Sequence, residues 1–197
     1  MKKIVIAVAL VLFGVQIAVA QISTSVEMFP IGVNFEQAMA TPDYFTVIGN
    51  VAVYSFAEFV GDGSWFTNHS ATWSPTKYLG LYAEASINDV HDVSTSIGPA
   101  FSIPLPGFVY FKMRPTAVIG DLERTRELNL VWKSKSLPAF GGEIWTEGFI
   151  RTLRDAGNTY GQPQVWWRQT DSTWHFGVEV EISGSDRTLR GGLRKTF

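Results

Sequence analysis

The sequence predicts an all-β fold, an antiparallel up-and-down transmembrane β-barrel of about ten strands, with eight and twelve strands as alternatives. Three observations favour this fold. Apolar and polar residues alternate with a period of two in many segments, these segments recur at regular intervals, and the chain begins with a segment typical of exported proteins. A half-buried strand requires such alternation, because successive side chains point to opposite faces of a sheet.

The first 20 residues predict a secretory signal. Lys2 and Lys3 precede an apolar run at 4–13, and small residues at 18 and 20 are typical of a cleavage site. A membrane anchor is the alternative interpretation. We expect residues 1–20 to be removed and the protein to reside in the outer membrane of a diderm bacterium.

The segment at 21–43 leaves two alternatives open. Ser25 to Phe35 could form a further strand, which would raise the count toward twelve, or an extended segment that lies in or below the lumen. We expect the barrel itself to occupy residues 44–197.

Candidate strands follow one another from there to the end of the chain. The eight after residue 76 are each near the roughly 9 to 11 residues that a tilted strand needs to cross a bilayer, and turn residues such as Pro, Gly and Ser separate the strands. The expected strands are 45–59, 64–73, 77–87, 93–103, 107–117, 124–133, 141–152, 161–169, 173–183 and 187–197.

The clearest alternation lies in the last two strands. From Trp174 to Ser183 every even position is apolar and every odd position is polar or Gly. After a turn at 184–186, Arg190 and Arg194 share the polar face of the final strand with Gly192. With the end of this strand on the periplasmic side, the turns at 104–106, 134–140 and 170–172 would be periplasmic, and those at 118–123, 153–160 and 184–186 would face outward.

Composition excludes several classes of partner and site. Two of the 16 basic residues lie in the predicted signal, so 14 basic and 18 acidic residues remain, and we expect no nucleic-acid partner. The chain has no Cys, so disulfides do not hold the fold. Its seven Trp residues suit aromatic belts at two membrane interfaces.

A soluble β-sandwich would also show alternation, and the polar faces favour the membrane barrel. These faces carry charges mixed with rings, which suits a wet lumen whose charges pair across the bore. The residues concerned include Tyr82, Glu84, Glu127, Lys133, Trp166, Glu179, Glu181, Arg190 and Arg194. We therefore expect outer-membrane lipid to cover the apolar faces.

The end of the chain matches the assembly signal of outer-membrane barrels, in which the last strand ends on an aromatic residue and has a Gly five residues before it. Gly192 and Phe197 fit this pattern, and Lys195 stands where a ring is usual. A Lys at the membrane edge can lay its stem along apolar surface and keep its charge in water. We expect the barrel-assembly machinery to bind this strand.

Four motifs carry a resemblance to a known family: Gly148-Phe149-Ile150-Arg151, residues 162–167 (QPQVWW), residues 177–181 (GVEVE) and residues 192–197 (GLRKTF). Together they resemble the nucleoside-specific channel-forming porins and their small relatives. Those proteins typically end in Trp-Thr-Phe, and the well-known members are longer twelve-stranded barrels. The resemblance implies passive diffusion of small polar solutes, including nucleosides, across the outer membrane.

Residues on the polar faces are the candidates for lining the lumen and binding solute. Rings can stack on a base, at about 1 to 3 kcal/mol per base, while paired charges can bond sugar hydroxyls. The candidates are Tyr82, Glu84, Gln164, Trp166, Glu179, Glu181, Arg190 and Arg194. The alternative is that they fill a narrow lumen and make a plugged structural or adhesive barrel.

A barrel enzyme that modifies lipids is a third hypothesis. The chain has three His, of which His69 precedes Ser70 in a strand, His91 lies in a predicted turn and His175 shares the polar face of Glu179. Neighbouring residues of a strand point apart, so His69 and Ser70 are poorly placed to bond. We therefore predict no catalytic residue, metal or cofactor.

Overall fold

A computed structural model describes residues 21–31, 39–89, 93–120, 124–153 and 159–197. The predicted signal, residues 1–20, lies outside them. The strands are β1 (Gln21–Ile31), β2 (Met39–Ile48), β3 (Val51–Val60), β4 (Trp65–Trp73), β5 (Leu79–Asn88), β6 (Val93–Ser102), β7 (Phe108–Gly120), β8 (Arg124–Ser134), β9 (Leu137–Ala139), β10 (Gly142–Leu153), β11 (Thr159–Gly161), β12 (Gln164–Gln169), β13 (Trp174–Ser183) and β14 (Asp186–Thr196).

The strands close into one antiparallel barrel. Each strand from β1 to β7 pairs with the one that follows it in the chain. Strand β8 then pairs with β10, and the ring continues through β12, β13 and β14 back to β1. The described residues thus form a ring of twelve strands, with two three-residue strands, β9 and β11, outside this count. The prediction of about ten strands is wrong, and its alternative of twelve is right.

The miscount has a local cause at the predicted strand 45–59. Gly49 and Asn50 make a two-residue turn that divides this segment between β2 and β3. Gly49 adopts a left-handed backbone, with φ of 57°, which a Gly accepts without steric cost and which a tight hairpin requires. The segment at 21–43 supplies the other missed strand, because β1 pairs with β14 and closes the ring. Residues 32–38, which include the end of the predicted 25–35 strand, lie outside the described residues.

The two ends of the barrel differ in what they hold. The start of β1 and the end of β14 pair at one end, here called the proximal end, where Ser25 is opposite Thr196. The turns at 49–50, 104–106 and 170–172 and the short strand β9 lie at the same end, as the strand order requires. The predicted turn at 184–186 lies at the opposite, distal end. Much of the predicted turns 118–123 and 153–160 falls outside the described residues.

The barrel wall has an apolar outer face and a polar inner face. Apolar side chains such as Leu81, Ile97 and Val178 are exposed on the outside, whereas Glu84, Ser96 and Glu179 alternate with them and are buried inside. The sandwich alternative is contradicted, since the described strands form one closed sheet. Among the described residues no helix is long and apolar enough to cross a membrane.

Candidate channel lumen

The barrel encloses a cavity of about 460 Å³. Ser23, Phe45 and Ala52 line it near the proximal end, and Glu84 and Arg151 line it deeper in the barrel. Phe45 lines the cavity while remaining 41 % exposed, so the cavity opens toward the proximal end. A pocket of this volume is within the range of about 300 to 1,000 Å³ that holds small ligands.

Gln164 on β12 is the centre of one polar cluster. Its Nε2 donates to Glu179 Oε2 at 2.8 Å and to Glu27 Oε2 at 3.3 Å. Its Oε1 accepts from Trp166 Nε1 at 3.0 Å and from Arg194 Nη2 at 3.2 Å. Both ends of one amide are thus bonded, so the side chains of four strands, β12, β13, β14 and β1, are fixed relative to one another.

Arginines neutralise the carboxylates around this cluster. Arg190 bonds Glu179 at 3.1 Å and Glu181 at 2.6 Å. Arg194 bonds Glu27 at 2.6 Å and also pairs with Glu147, and its guanidinium lies 4.2 Å from the centre of the Trp166 ring. A buried carboxylate is costly unless it is paired and hydrogen-bonded, and these contacts meet both conditions.

A second cluster surrounds Glu84 on β5. Arg151 Nη2 donates to Glu84 Oε2 at 2.5 Å, and Arg151 Nε lies 3.8 Å from Glu127 Oε1. The Tyr82 hydroxyl donates to the same oxygen of Glu84. The Arg114 guanidinium lies 4.2 Å from the centre of the Tyr82 ring, a cation–π distance.

Two hydrogen bonds cross the lumen rather than following its wall. The Arg151–Glu84 bond joins β10 to β5, past β6, β7 and β8. Gln162 Nε2 donates to Glu58 Oε1 at 3.0 Å, which joins the segment between β11 and β12 to β3. These are called the cross-lumen bonds below, and all four residues line the cavity.

Beyond the cross-lumen bonds the interior is packed. Ser86, Ser96, Thr116 and Glu127 lie on the inner face toward the distal end, where they are buried and do not line the cavity. The described part of the barrel therefore holds a vestibule that is open at the proximal end and is bounded by bonded side chains on the distal side.

The predicted site residues are all inside the barrel, but they divide into two groups. Tyr82, Glu84, Gln164, Glu179 and Arg194 line the cavity. Trp166, Glu181 and Arg190 are outside the cavity lining, and Trp166 is 0 % exposed. The first group borders the cavity, whereas the second lies on the inner face outside its lining.

Trp166 fits because the facing position has no side chain. Gly177 on β13 pairs with Trp166, and a Cβ at Gly177 would lie 2.4 Å from Trp166 Cε3. This Gly therefore makes room for a bulky inner residue, as Gly in a strand often does.

Sequence reasoning missed part of the lining. Tyr110, Lys112 and Arg114 on β7 line the cavity, as do Glu27 and Asp43 on β1 and β2. The first three alternate with apolar residues, so the period of two was a usable signal. Glu27 and Asp43 lie in the segment at 21–43, for which the sequence left two alternatives open. No local pattern therefore predicted that their side chains face the lumen.

Of the histidines weighed as catalytic candidates, His69 and His175 lie in the described part of the chain. His175 is buried and packs edge-on against Trp145, with ring centres 5.2 Å apart. Ser70 Oγ donates to the Tyr54 carbonyl at 3.4 Å, and His91 lies outside the described residues. In that described part no three His, Asp or Glu are grouped to hold a metal.

The final strand ends at the proximal rim. The Phe197 amide donates to the Thr24 carbonyl at 3.0 Å, and Gly192 pairs with Gly177. Lys195 Nζ lies 4.8 Å from the centre of the Trp174 ring and bonds Thr173 Oγ1 at 2.8 Å. The Lys thus covers a ring and keeps its charge at the rim. The role of Gly192 and Phe197 in assembly stays a prediction.

Comparison with solved structures identifies the architecture. A structure described as "KdgM porin in complex with disordered oligogalacturonate" superposes with a TM-score of 0.60 and 11 % identity, covering 91 % of this chain and 99 % of that chain. The chain has the fold of a porin. The KdgM porin without ligand gives the same values.

A porin of Rh. blastica also matches, with a TM-score of 0.44 and 14 % identity over 81 % of this chain and 55 % of that one. No protein-family model matches the chain, and no curated protein matches it either. The match to the KdgM porin shows the barrel fold, and the resemblance to nucleoside-specific channels stays a prediction.

Proposed function

We propose that this chain is an outer-membrane channel for the passive diffusion of small polar solutes. The observation that carries this proposal is the pairing of an apolar outer wall with an inner cavity of about 460 Å³ lined by charged and aromatic side chains. Such a wall buries its apolar face in lipid, and the lumen stays wet. The fold similarity to the KdgM porin supports the architecture.

The proximal end would face the periplasm and β14 would be the strand that the assembly machinery binds. The predicted signal would deliver the chain to the outer membrane of a diderm bacterium. Apolar residues midway along the strands, such as Ile97 and Val178, would then contact lipid, and rings near strand ends, such as Trp73 and Trp174, would lie at the interface.

Nucleosides belong to the solutes we propose. Tyr54 and Phe149 line the cavity and offer faces on which a base could stack. The amide of Gln164 and the Glu27 carboxylate lie on the same lining and could bond ribose hydroxyls. The chain would supply no chemistry, in keeping with a channel rather than an enzyme.

The cross-lumen bonds would set the rate of passage. A solute that enters the vestibule must displace the Gln162 amide or the Arg151 guanidinium to reach the distal end. Both groups end flexible side chains, which exchange rotamers in the nanosecond range when they are free. We therefore expect a narrow channel with low conductance.

Planar-bilayer recording of the purified chain tests the proposal. We expect single-channel steps in KCl, and we expect Gln162→Ala to raise their size because it removes one cross-lumen bond. Lys195→Gln is the matched control, since Lys195 lies at the rim and bonds Thr173; its steps should equal those of the unmodified chain. A bilayer that stays silent over a wide voltage range, for the chain and for Gln162→Ala alike, would refute the channel.

A plugged structural barrel is the second candidate. The buried Ser86, Ser96 and Thr116 and the cross-lumen bonds favour it, because they fill the distal half with side chains. The same recording separates the two functions, since a plugged barrel stays silent while it remains folded.

A further inference from the structure

The charged side chains that line the cavity differ in whether they form an ion pair with another described residue. Seven of them each belong to an ion pair: Glu27, Glu84, Lys133, Glu147, Arg151, Glu179 and Arg194. Asp43, Glu58, Lys112 and Arg114 form no ion pair with any described residue. They are the lining charges that no described ion pair occupies.

The neutral contacts of these four groups hold them in place without cancelling their charge. Asp43 Oδ2 accepts from Ser25 Oγ at 2.6 Å, and Glu58 accepts from the Gln162 amide. Arg114 lies over the Tyr82 ring, and Lys112 Nζ lies 5.5 Å from the centre of the Tyr110 ring. Arg114 Nε is buried without a hydrogen-bond partner in the described structure.

The four charges are divided between two walls. Asp43 and Glu58 lie on the adjacent strands β2 and β3, whereas Lys112 and Arg114 lie on β7. Strands β4, β5 and β6 separate the two pairs along one side of the ring, and six strands lie between them on the other. The cavity thus has an acidic wall that faces a basic wall across the lumen.

The distance between these walls can be estimated from barrel geometry. Twelve strands about 4.8 Å apart and tilted by about 40° enclose a backbone cylinder roughly 24 Å across. Charged side chains that project from both walls leave a gap on the order of 10 Å. An extended chain spans about 3.3 to 3.6 Å per residue, so a tripeptide reaches about 10 Å between its charged ends.

We propose that the vestibule binds small zwitterions, and extended tripeptides best, with the ammonium at Asp43 and Glu58 and the carboxylate at Lys112 and Arg114. This proposal rests on the proposed channel function and names a further class of solute beside nucleosides. A simple anion meets only the basic wall and a simple cation only the acidic wall, whereas a zwitterion of the right length meets both. The aromatic rings beside each wall cover the chain between the two charges.

Binding to the full chain in detergent tests the proposal independently of conduction. Saturation-transfer NMR would compare four probes of nearly equal size, which are triglycine, the anion N-acetyltriglycine, the cation triglycinamide and the neutral N-acetyltriglycinamide. We expect triglycine to bind about five-fold more tightly than either singly charged probe, since one partly exposed ion pair is worth up to about 1 kcal/mol. Glycine, too short to span both walls, should bind no better than the singly charged probes.

Two variants assign the walls. Asp43→Asn should weaken triglycine and triglycinamide and leave N-acetyltriglycine unchanged, whereas Arg114→Gln should weaken triglycine and N-acetyltriglycine and leave triglycinamide unchanged. Arg168→Gln is the matched control, because Arg168 is outside the cavity lining and pairs with Glu143; it should change none of them. Migration of unheated samples on a gel checks that each variant is folded.

N-acetyltriglycine that binds as tightly as triglycine, or four probes that bind equally or not at all, would overturn the zwitterion site. Single-channel steps together with such a result would leave the channel function standing and remove only its solute class. If the chain binds zwitterions but stays silent in bilayers, the zwitterion site stands and the channel function is refuted.

Discussion

Replacing Arg190 with Met should destabilise the barrel far more than the same change at Arg168. Both arginines contact a carboxylate at 3.1 Å, Arg190 with Glu179 and Arg168 with Glu143. The pairs differ in burial, since the side chains of the first are 5 % and 0 % exposed and those of the second 39 % and 43 %. Arg190 also bonds Glu181 at 2.6 Å, so its removal leaves one buried and one partly exposed carboxylate, whereas removal of Arg168 leaves one exposed carboxylate.

The magnitude follows from what each change leaves behind. Without Arg190, the Glu179 carboxylate stays buried and keeps only the Gln164 amide as donor among its described partners. Breaking a buried pair in this way costs about 3 to 5 kcal/mol, and the remaining hydrogen bond favours the lower part of this range. An exposed pair is worth about 0 to 1 kcal/mol. The expected difference between the two variants is therefore about 2 to 4 kcal/mol.

Equilibrium unfolding in urea measures this difference, with the barrel reconstituted in lipid vesicles and its tryptophan fluorescence as the signal. A third variant, Arg190→Met with Glu179→Gln, removes the stranded charge and should recover part of the loss. Equal losses in the two single variants, or a loss below about 1 kcal/mol at Arg190, would refute the view that buried ion pairs neutralise the lumen.

Two further changes test the inner and outer faces. Gly177→Ala should cost about 1 to 3 kcal/mol in the same unfolding assay because its Cβ would overlap the Trp166 ring and the Val165 carbonyl; an unaltered midpoint would contradict the close contact. Val178→Arg, midway along β13 on the outer face, should cost about 2 to 4 kcal/mol in lipid, whereas Trp174→Arg at the strand end should cost about 0 to 1 kcal/mol for the charge; equal costs would argue against a lipid-covered wall.

The alternation of residues was sufficient to predict the barrel and much of its inner face. In β13 and β14 the predicted polar face agrees with the observed pairing, in which Glu179 faces Arg190, because one strand leads directly into the next through a short turn. The count failed at Gly49 and Asn50, where a two-residue turn interrupts a run of apolar residues that reads as one strand.

Contacts between distant parts of the chain could not be read from the sequence. The Arg194–Glu27 pair exists because β14 meets β1 when the barrel closes, and the Gln162–Glu58 bond exists because the two residues face each other across the lumen. No local pattern in the sequence marks either of these two contacts. Such contacts decide which inner residues line the cavity and which are packed away from it. The sequence therefore predicted that Trp166 and Arg190 face inward, but it did not predict that they lie outside the lining.

Water accessibility of alternate positions along β7 tests the central claim, that this sheet faces lipid outside and a wet cavity inside. The chain lacks Cys, so single Cys residues can be placed at Tyr110, Lys112 and Arg114, which line the cavity, and at Phe111 and Met113 between them. In lipid vesicles a charged, water-soluble thiol reagent should modify the first three and spare the other two. Uniform labelling of all five positions, or labelling of Phe111 and Met113 alone, would contradict the account.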